Sequence, residues 1–508
     1  MHNPTWRIVG LSSQLAPSAR QGMLPTLGLA CALGLTGCLW AAAATADPMA
    51  DSYPGDAWAE AAPGGVGWSE DGLAEARAWS GHIGSSAVMV IQHGAVVAQW
   101  GDVAARMKLR SVRKSLLSAL VGIAAARGQL SPGDTLGKLG INDTAPSLSE
   151  AELGASVADL LGSRSGVYHP ALYEALDAAA NRPSRGSHAP GTYWYYNNWD
   201  FNALGAILEH ATGSSIFDGF AREIAGPVGM QDYRASDGYY VVGAASVYPA
   251  YEARVSARDL ARFAYLYLHS GRWGTRQVVP AEWVRDTTQA QSDSGFGPGY
   301  GGLWWTGPLD SPFGPVVRLP TGTFFASGLQ AQFAFVLPAY DMVIVHRIDS
   351  DSSRADPDLR QIGRQIGRLL WLILRASGVK DIGPDTTLAA APGERLSTEA
   401  LQENLAGATL TTVSTASGGP HRLQFGADGV VLYQRGPEAA EYDRGRWEAV
   451  DGKLCRTSDA ESRKRRPSRW CYTAMLDGKQ LRLFDREGLM QSDTLLAGSP
   501  APTDEANH

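Results

Sequence analysis

Cysteine is scarce in this chain: there are four in 508 residues, and two of them, Cys31 and Cys38, fall in the first forty positions. That leaves Cys455 and Cys471 as a lone pair. No His lies near either one, so a metal site is poorly supported and a disulfide is expected. Positive charge is not in excess either. Lys and Arg number 44 against 51 Asp and Glu, a net charge of −7, which argues against nucleic acid as a partner. No internal repeat is present. What the chain does have is a hydrophobic fraction of 44%, enough for a sizeable core, with 15 Trp and 58 Gly. That mixture suits a loop-rich protein with aromatic-lined clefts.

The first residues lack acid. Positions 1–38 hold Arg7 and Arg20 but no Asp or Glu, and Met23 to Ala46 carries no charge at all. Such a stretch is about long enough to span a membrane. No basic residue follows closely to stop transfer, and processing sites occur instead. Leu35-Thr36-Gly37-Cys38 has the form of a lipoprotein cleavage box, with Cys38 as the lipidation candidate and a route to membrane attachment. Ala44-Thr45-Ala46 is an ordinary A-x-A site. Residues 1–46 are therefore expected to be a signal peptide or lipoprotein signal, with an uncleaved anchor as the third reading. The expected location is periplasmic or secreted.

Residues 47–67 are rich in Ala, Gly and Pro and are expected to be a linker. Apolar runs Ser86–Ile91 and Ala95–Trp100 flank His93-Gly94 and read as a β-hairpin. Leu116, Leu117, Leu120 and Ile123 share one face of a helix over Ser115–Arg127. The middle, about 131–300, reads as mainly helical, with pieces at Val157–Leu161, Ala203–Ala211 and Ala257–His269. Gln332–Leu337 and Met342–Arg347 form a second hairpin, and Asp358–Ala376 a closing helix. Beyond about Pro384, short alternating runs are separated by turns such as Asp451-Gly452 and Asp477-Gly478. The expected organisation is a main domain over 68–384, a linker over 385–400, a small β-rich accessory domain over 401–498 and a disordered tail over 499–508. Cys455 and Cys471 fall on neighbouring strands of the accessory domain. The basic run Arg463–Arg466 between them reads as a solvated loop.

An S-x-x-K tetrad puts a hydroxyl and an amine one helical turn apart on the same face. At a helix N-terminus the dipole favours the anion that develops on the Ser. Burial lowers the Lys pKa, so a neutral amine can take the Ser proton. The pattern occurs twice. Ser377-Gly378-Val379-Lys380 lies past a helix end with no helix after it, and is set aside. Ser111-Val112-Arg113-Lys114 opens the Ser115–Arg127 helix, the context the chemistry needs. Ser111 is the candidate nucleophile and Lys114 the candidate base. A second segment, Pro190-Gly191-Thr192-Tyr193-Trp194-Tyr195-Tyr196-Asn197-Asn198, is followed by Leu204-Gly205.

These segments resemble those of class C β-lactamases, of related penicillin-binding D-alanyl-D-alanine carboxypeptidases and of esterases of that type, which carry P-G-x-x-x-x-Y-x-N and a downstream L-G. The spacing selects Tyr196-Asn197-Asn198. The resemblance implies that Tyr196 shuttles protons with Lys114, and that Asn198 orients Lys114 and the substrate. Leu109–Ser115 is similar to the family's nucleophile segment, Val157–Leu161 through Ser165-Gly166-Val167 to its "LLTHTSG" segment, and Arg254–Phe263 to its helix after the tyrosine. The third family motif is K-T-G or H-x-G. Its counterpart is Ala326-Ser327-Gly328, which lacks the cationic first residue. Gly328 still permits close backbone approach, and the Leu329 N–H with that of Ser111 is the candidate oxyanion hole. Ser327, Gly328, Leu329 and Asn198 are thus candidate substrate-binding residues. Tyr168, which with His169 follows Ser165-Gly166-Val167, is another. An apolar residue at 326 is also similar to the branch that includes hydrolases of linear aminohexanoate amides.

The resemblance covers about residues 70–375. It implies an α/β fold: an antiparallel sheet flanked by helices, an all-helical lobe, and Ser111 in the cleft between them, with the small antiparallel β domain appended. It implies acyl transfer through an acyl-enzyme, with no metal and no organic cofactor. Small esters or linear amides are the expected substrates. Arg113 is expected to point away from the Ser111–Lys114 face. Phe324, Phe325, Tyr193, Trp194 and Trp304 are expected to suit an apolar group. A D-amino-acid peptidase, a β-lactamase and a non-catalytic envelope-binding protein stand as rival readings.

Overall fold

A computed structural model describes residues 53–144, 146–174, 182–294, 299–307, 316–352, 359–413, 420–435, 442–458 and 469–497. The signal stretch with Cys38, the Arg463–Arg466 run and the tail lie outside the described residues.

Two strands show why a sheet forms and why it is covered on both sides. In Met342–Arg347, Val343 and Val345 join one apolar cluster while Met342 and Ile344 join another. Gln332–Leu337 divides the same way, Ala334 and Val336 against Phe333, Phe335 and Leu337. Side chains alternate across a strand, so strands apolar on both faces need a layer on each. The sheet runs in the order Ala59–Glu60, Ala95–Gly101, Ala87–Gln92, Met342–Arg347, Gln332–Leu337, Phe324–Gly328, Trp305–Thr306, Gly299–Tyr300 and Ser292–Asp293. Only the first pair is parallel. His93 and Gly94 turn the expected hairpin, with φ of 50° and 76°, as a two-residue type I′ connection requires.

Helices Glu70–His82 and Leu359–Ala376 cover one face. The second buries Ile362, Ile366, Leu369, Leu370 and Ile373. The opposite face carries Arg113–Ala126, Ala257–Leu268 and the helical lobe, including Asn198–Thr212. Ser69 caps the first helix by accepting from the Gly72 N–H at 3.0 Å, and Ser256 caps Ala257–Leu268 through Asp259 N–H.

Two stretches expected as linkers are packed. In 53–67, Ala59–Glu60 adds the edge strand, and Trp58 donates to the Arg258 carbonyl at 3.2 Å while its ring meets Tyr265. Tyr53 and Trp58 supply apolar surface that the Ala, Gly and Pro content obscured. In 385–400, Asp385 pairs with Arg368 at 2.7 Å and Glu394–Arg395 pairs with Met475 and Leu476.

The C-terminal region is a closed up-and-down barrel. Its strands are Thr409–Val413, Pro420–Phe425, Val430–Arg435, Tyr442–Val450, Lys453–Ser458, Arg469–Asp477, Gln480–Phe484 and Met490–Ala497. Each pairs antiparallel with the next, and the last closes on the first. Leu401 and Leu405 of the helix Thr398–Leu405 fill its core beside Phe425, Trp447 and Leu454. Cys455 and Cys471 face each other on adjacent strands and are disulfide-bonded. The barrel meets the Leu359–Ala376 helix through Gln365, whose amide donates to both Glu487 carboxylate oxygens at 2.9 Å.

Candidate active site

The chain leading to Ser111 is fixed before Ser111 is reached. Met107–Lys108 pairs with Arg254–Val255, and the Leu109 N–H donates to the Ala253 carbonyl at 3.0 Å. Arg347, fully buried at the end of a central strand, donates to the carbonyls of Met107 and Lys108 at 2.9 Å each, to Val255 at 2.7 Å and to Gln332 Oε1 at 2.7 Å. Burial draws its guanidinium down to about 10. Arg110 follows at φ 53°, a region sparsely populated by residues with a side chain. Such a conformation persists where the surroundings over-determine it. Here the Arg110 N–H donates to Glu252 Oε1 at 3.1 Å, its carbonyl accepts from Arg113 Nη1 at 2.9 Å, and its Nη2 donates to Gln330 Oε1 at 3.1 Å.

A 3₁₀ turn over Arg110–Val112 then runs into the helix Arg113–Ala126. Lys114 Nζ stands 2.7 Å from Ser111 Oγ and 2.8 Å from the Tyr196 hydroxyl. Lys114 is 2% exposed. Burial, and then the Arg113 charge, hold its amine well below the usual lysine range, against an upward pull from Glu252. Burial raises the Tyr196 phenol, opposed by a hydrogen bond with Ser111 and by the Arg113 charge. Both shifts run the same way: burial favours the neutral amine on Lys114 and the neutral phenol on Tyr196.

Tyr196 is fixed by rings and by a capped helix. Trp305 stacks on it at 5.7 Å between centroids and 21° between planes, and Phe201, Tyr300 and Trp194 pack around it. Asn197 caps Asn198–Thr212 by accepting from the Trp199 N–H at 3.1 Å, and its amide donates to the Val167 carbonyl at 2.7 Å and Asp200 Oδ1 at 2.8 Å. Asp200 also accepts from the Ser165 hydroxyl. The Ser165-Gly166-Val167 and Tyr196-Asn197-Asn198 segments are therefore bound to each other.

The beta-lactamase family model matches residues 70–365, more than half of the chain. The chain belongs to the beta-lactamase family. No curated protein sequence matches it significantly. Similar solved structures include an octameric penicillin-binding protein homologue of Pyrococcus abyssi, at 15% identity and a TM-score of 0.46 over 84% of this chain and 99% of that one. A beta-lactamase of Mycobacterium bovis shows 19% identity and a TM-score of 0.42 over 61% and 100%. A Bacillus anthracis protein assigned as a 6-aminohexanoate-dimer hydrolase shows 18% identity and a TM-score of 0.46 over 60% and 83%. Membership of that family supports a serine hydrolase in the general sense.

Other candidate residues of this beta-lactamase-family chain fall in varied places. Gly328 lies against the Ser111 segment so closely that a Cβ there would sit 2.6 Å from the Leu109 carbonyl oxygen. Leu329 follows it and is exposed, and Ser327 is partly exposed. Ala326 is fully buried in the core on the helical-lobe side. Asn198 does not bond Lys114: its amide nitrogen donates to the Tyr173 carbonyl at 2.7 Å, and its Oδ1 has no partner among the described residues. Tyr168 is buried, its hydroxyl 3.2 Å from His188 Nδ1, and burial pushes its phenol up to about 12. Phe324 and Trp304 are core residues, Phe325 packs on the opposite face of the sheet, and Tyr193 stacks on His188. Of the aromatics expected near the site, Trp194 adjoins Tyr196. Trp305, Tyr300 and Phe201 join it without a local sequence signal, because strand pairing and helix packing deliver them. Arg113 is buried and curls back to the Arg110 carbonyl.

Proposed function

We propose that the chain hydrolyses small uncharged esters or linear amides through an acyl-enzyme on Ser111. The observation that carries this reading is the buried Lys114 amine, its pKa drawn down by burial, held between Ser111 Oγ and the Tyr196 hydroxyl. A neutral amine has one lone pair, so it can accept the Ser111 proton as Oγ attacks the substrate carbonyl. The N–H groups of Ser111 and Leu329 would hold the oxyanion. Collapse breaks the bond to the alcohol or amine, which leaves with a proton returned from Lys114 by way of Tyr196. Water then attacks the acyl-enzyme, gives a proton to the same pair, and releases the acid as Ser111 regains its own.

The uncharged substrate follows from Ala326. A methyl group there cannot bond a carboxylate, and that bond contributes roughly 1.5–3 kcal/mol when charge-assisted. Trp194 and Trp305 beside Tyr196 supply apolar surface instead. We also propose that the chain is exported, with cleavage at Cys38 or after Ala46. The Cys455–Cys471 bridge supports an oxidising compartment, and intact mass of the mature protein distinguishes the two termini.

The test is fluorophosphonate labelling of the wild type and of Ser111→Ala, with turnover of p-nitrophenyl butyrate, a linear amide and nitrocefin on one preparation. Labelling confined to Ser111 and preference for the ester or amide are expected. Wild-type turnover by folded Ser111→Ala would reject the assignment, and efficient nitrocefin turnover with the ester untouched would favour the β-lactamase reading.

A further inference from the structure

Arg113 lies inside the Ser-x-x-Lys tetrad and is 4% exposed. Its guanidinium sits between Tyr173 and Tyr251, 5.3 and 5.1 Å from their ring centroids. Nη1 is bonded to the Arg110 carbonyl, while Nε and Nη2 are buried without a partner among the described residues. Glu252 lies on the strand Ala250–Glu252 and is fully buried. Its Oε1 accepts from the N–H groups of Arg110 and Ala253 at 3.1 Å each, and its Oε2 is unpartnered. Two buried charges of opposite sign thus bracket the residue before Ser111 from two different elements, and no direct ion pair between them is formed. A guanidinium is a permanent cation, so an ordinary fold would not leave it half-satisfied in a core.

We propose that Arg113 and Glu252 are opposed positioning residues that set the protonation of Lys114. Arg113 adds to burial in favouring the unprotonated amine, and Glu252 opposes it in favour of the protonated amine that carries a proton to the leaving group. A group that must act as base and then as acid works best with its pKa near the operating pH, and a single neighbouring charge would push it to one side. The electrostatics agree in sign: the Arg113 charge lowers Lys114 and Glu252 raises it. The other groups facing this centre are the Ser111 hydroxyl and the phenols of Tyr196, Tyr251 and Tyr300, all three raised by burial. Asp200, on the adjoining helix, is also raised well above the carboxylate range by burial. The inference rests on the reading of Lys114 as the base for Ser111.

The experiment is the pH profile of kcat/KM for p-nitrophenyl butyrate, with the pH dependence of fluorophosphonate labelling alongside. It uses the full mature chain as wild type, Arg113→Gln, Arg113→Lys and Glu252→Gln, with Tm for each. Loss of the Arg113 charge should move the acid limb up by about one pH unit, close to tenfold in rate on the limb. Arg113→Lys should keep it near the wild-type position. Glu252→Gln, which retains an acceptor for Arg110, should move it down by a similar amount. An unmoved limb in folded Arg113→Gln would assign Arg113 only to clamping Arg110 and overturn the inference. So would a loss confined to KM for esters bearing a carboxylate, which would make Arg113 a substrate anchor. A wild type that does not label at Ser111 removes the functional reading and this inference together, whereas a labelled wild type with unmoved limbs removes this inference alone.

Discussion

Gly328→Ala tests how closely the Phe324–Gly328 strand must approach Ser111. An ideal Cβ at 328 would lie 2.6 Å from the Leu109 carbonyl oxygen, 3.0 Å from Arg110 Cβ and 3.1 Å from Gln332 Cβ. A relaxed carbon–oxygen contact is about 3.3 Å or more, so strand and segment must part by roughly 0.7 Å. Neither side yields freely. Leu109 is bonded to Ala253, Arg110 is held on three sides, and Gly328 is paired with Gln332. Overpacking of this kind costs about 1–3 kcal/mol, or a fall in Tm of several degrees at about 2–4 °C per kcal/mol. The same displacement carries the Leu329 N–H away from the place where an oxyanion would form. Loss of one such donor costs about 10²–10³ in kcat, so a partial loss should give about ten- to a hundredfold, with KM little changed. Steady-state kinetics on p-nitrophenyl butyrate and a thermal melt of the same preparation read both effects. Wild-type kcat with wild-type Tm would refute the close approach; a lower Tm with unchanged kcat would remove Leu329 from the oxyanion hole.

Lys114→Ala should lower kcat by several powers of ten, and a folded variant within tenfold of wild type would exclude the amine as base. Arg347→Met strips a buried donor from three carbonyls of the Ser111 approach and should cost at least about 3 kcal/mol, read as a lower urea midpoint; an unchanged midpoint would count against the pin. His346 is buried, its Nδ1–H donates to the Ala331 carbonyl at 2.8 Å and its Nε2 accepts from Ser85 at 2.7 Å, and burial lowers its pKa to about 4. The unfolded chain, with a His pKa of about 6.5, binds more protons between those values, so this contribution is complete above about pH 6.5 and is lost as pH falls toward 4, by up to about 3 kcal/mol. Melts from pH 7 to pH 4.5 should show that loss, and His346→Gln should flatten the slope; equal slopes would refute it. Reduction of Cys455–Cys471, which closes a loop with a sequence separation of 16, should destabilise the barrel by about 3 kcal/mol in the chain-entropy model while leaving ester turnover intact, since the barrel meets the sheet face away from Ser111; parallel loss of turnover would contradict that separation.

The legible parts of the sequence were those with a local period or a fixed spacing. The Leu116, Leu117, Leu120 and Ile123 face placed the helix behind Ser111, and the interval from Pro190 to Leu204-Gly205 selected Tyr196. The hairpins at 87–101 and 332–347 follow from apolar runs and turn residues. What escaped is what pairing and side-chain direction decide. Trp305 and Tyr300 reach Tyr196 because their short strands add to the sheet beside Phe324–Gly328. Arg347 reads as the polar end of an apolar strand, and its four bonds appear only when Met107–Lys108 is brought under it. The helical wheel sets Arg113 off the Ser111–Lys114 face but says nothing of its burial: side chains on a helix lean toward its N-terminus, and the guanidinium returns to the Arg110 carbonyl. Alternation gave the C-terminal strands but not their closure, which depends on the first strand meeting the last.

The rival reading of a non-catalytic envelope protein has a physical weakness. A binding scaffold gains nothing from burying an amine, a guanidinium and a carboxylate around one helix start. Replacing buried ionic groups with apolar ones of similar volume is often neutral or stabilising by about 1–4 kcal/mol. Here Lys114, Arg113 and Glu252 are all buried, with unpartnered atoms on the last two. Arg110, between them, holds a left-handed conformation that costs roughly 1–2 kcal/mol for a residue with a side chain. The surrounding bonds from Arg347, Gln330 and Ala253 sustain this arrangement and do not relieve it. A chain that had lost its chemistry could relax each of these positions separately and become more stable. Their joint presence is best accounted for by a reaction that needs a hydroxyl and a phenol each held within 3 Å of one buried amine.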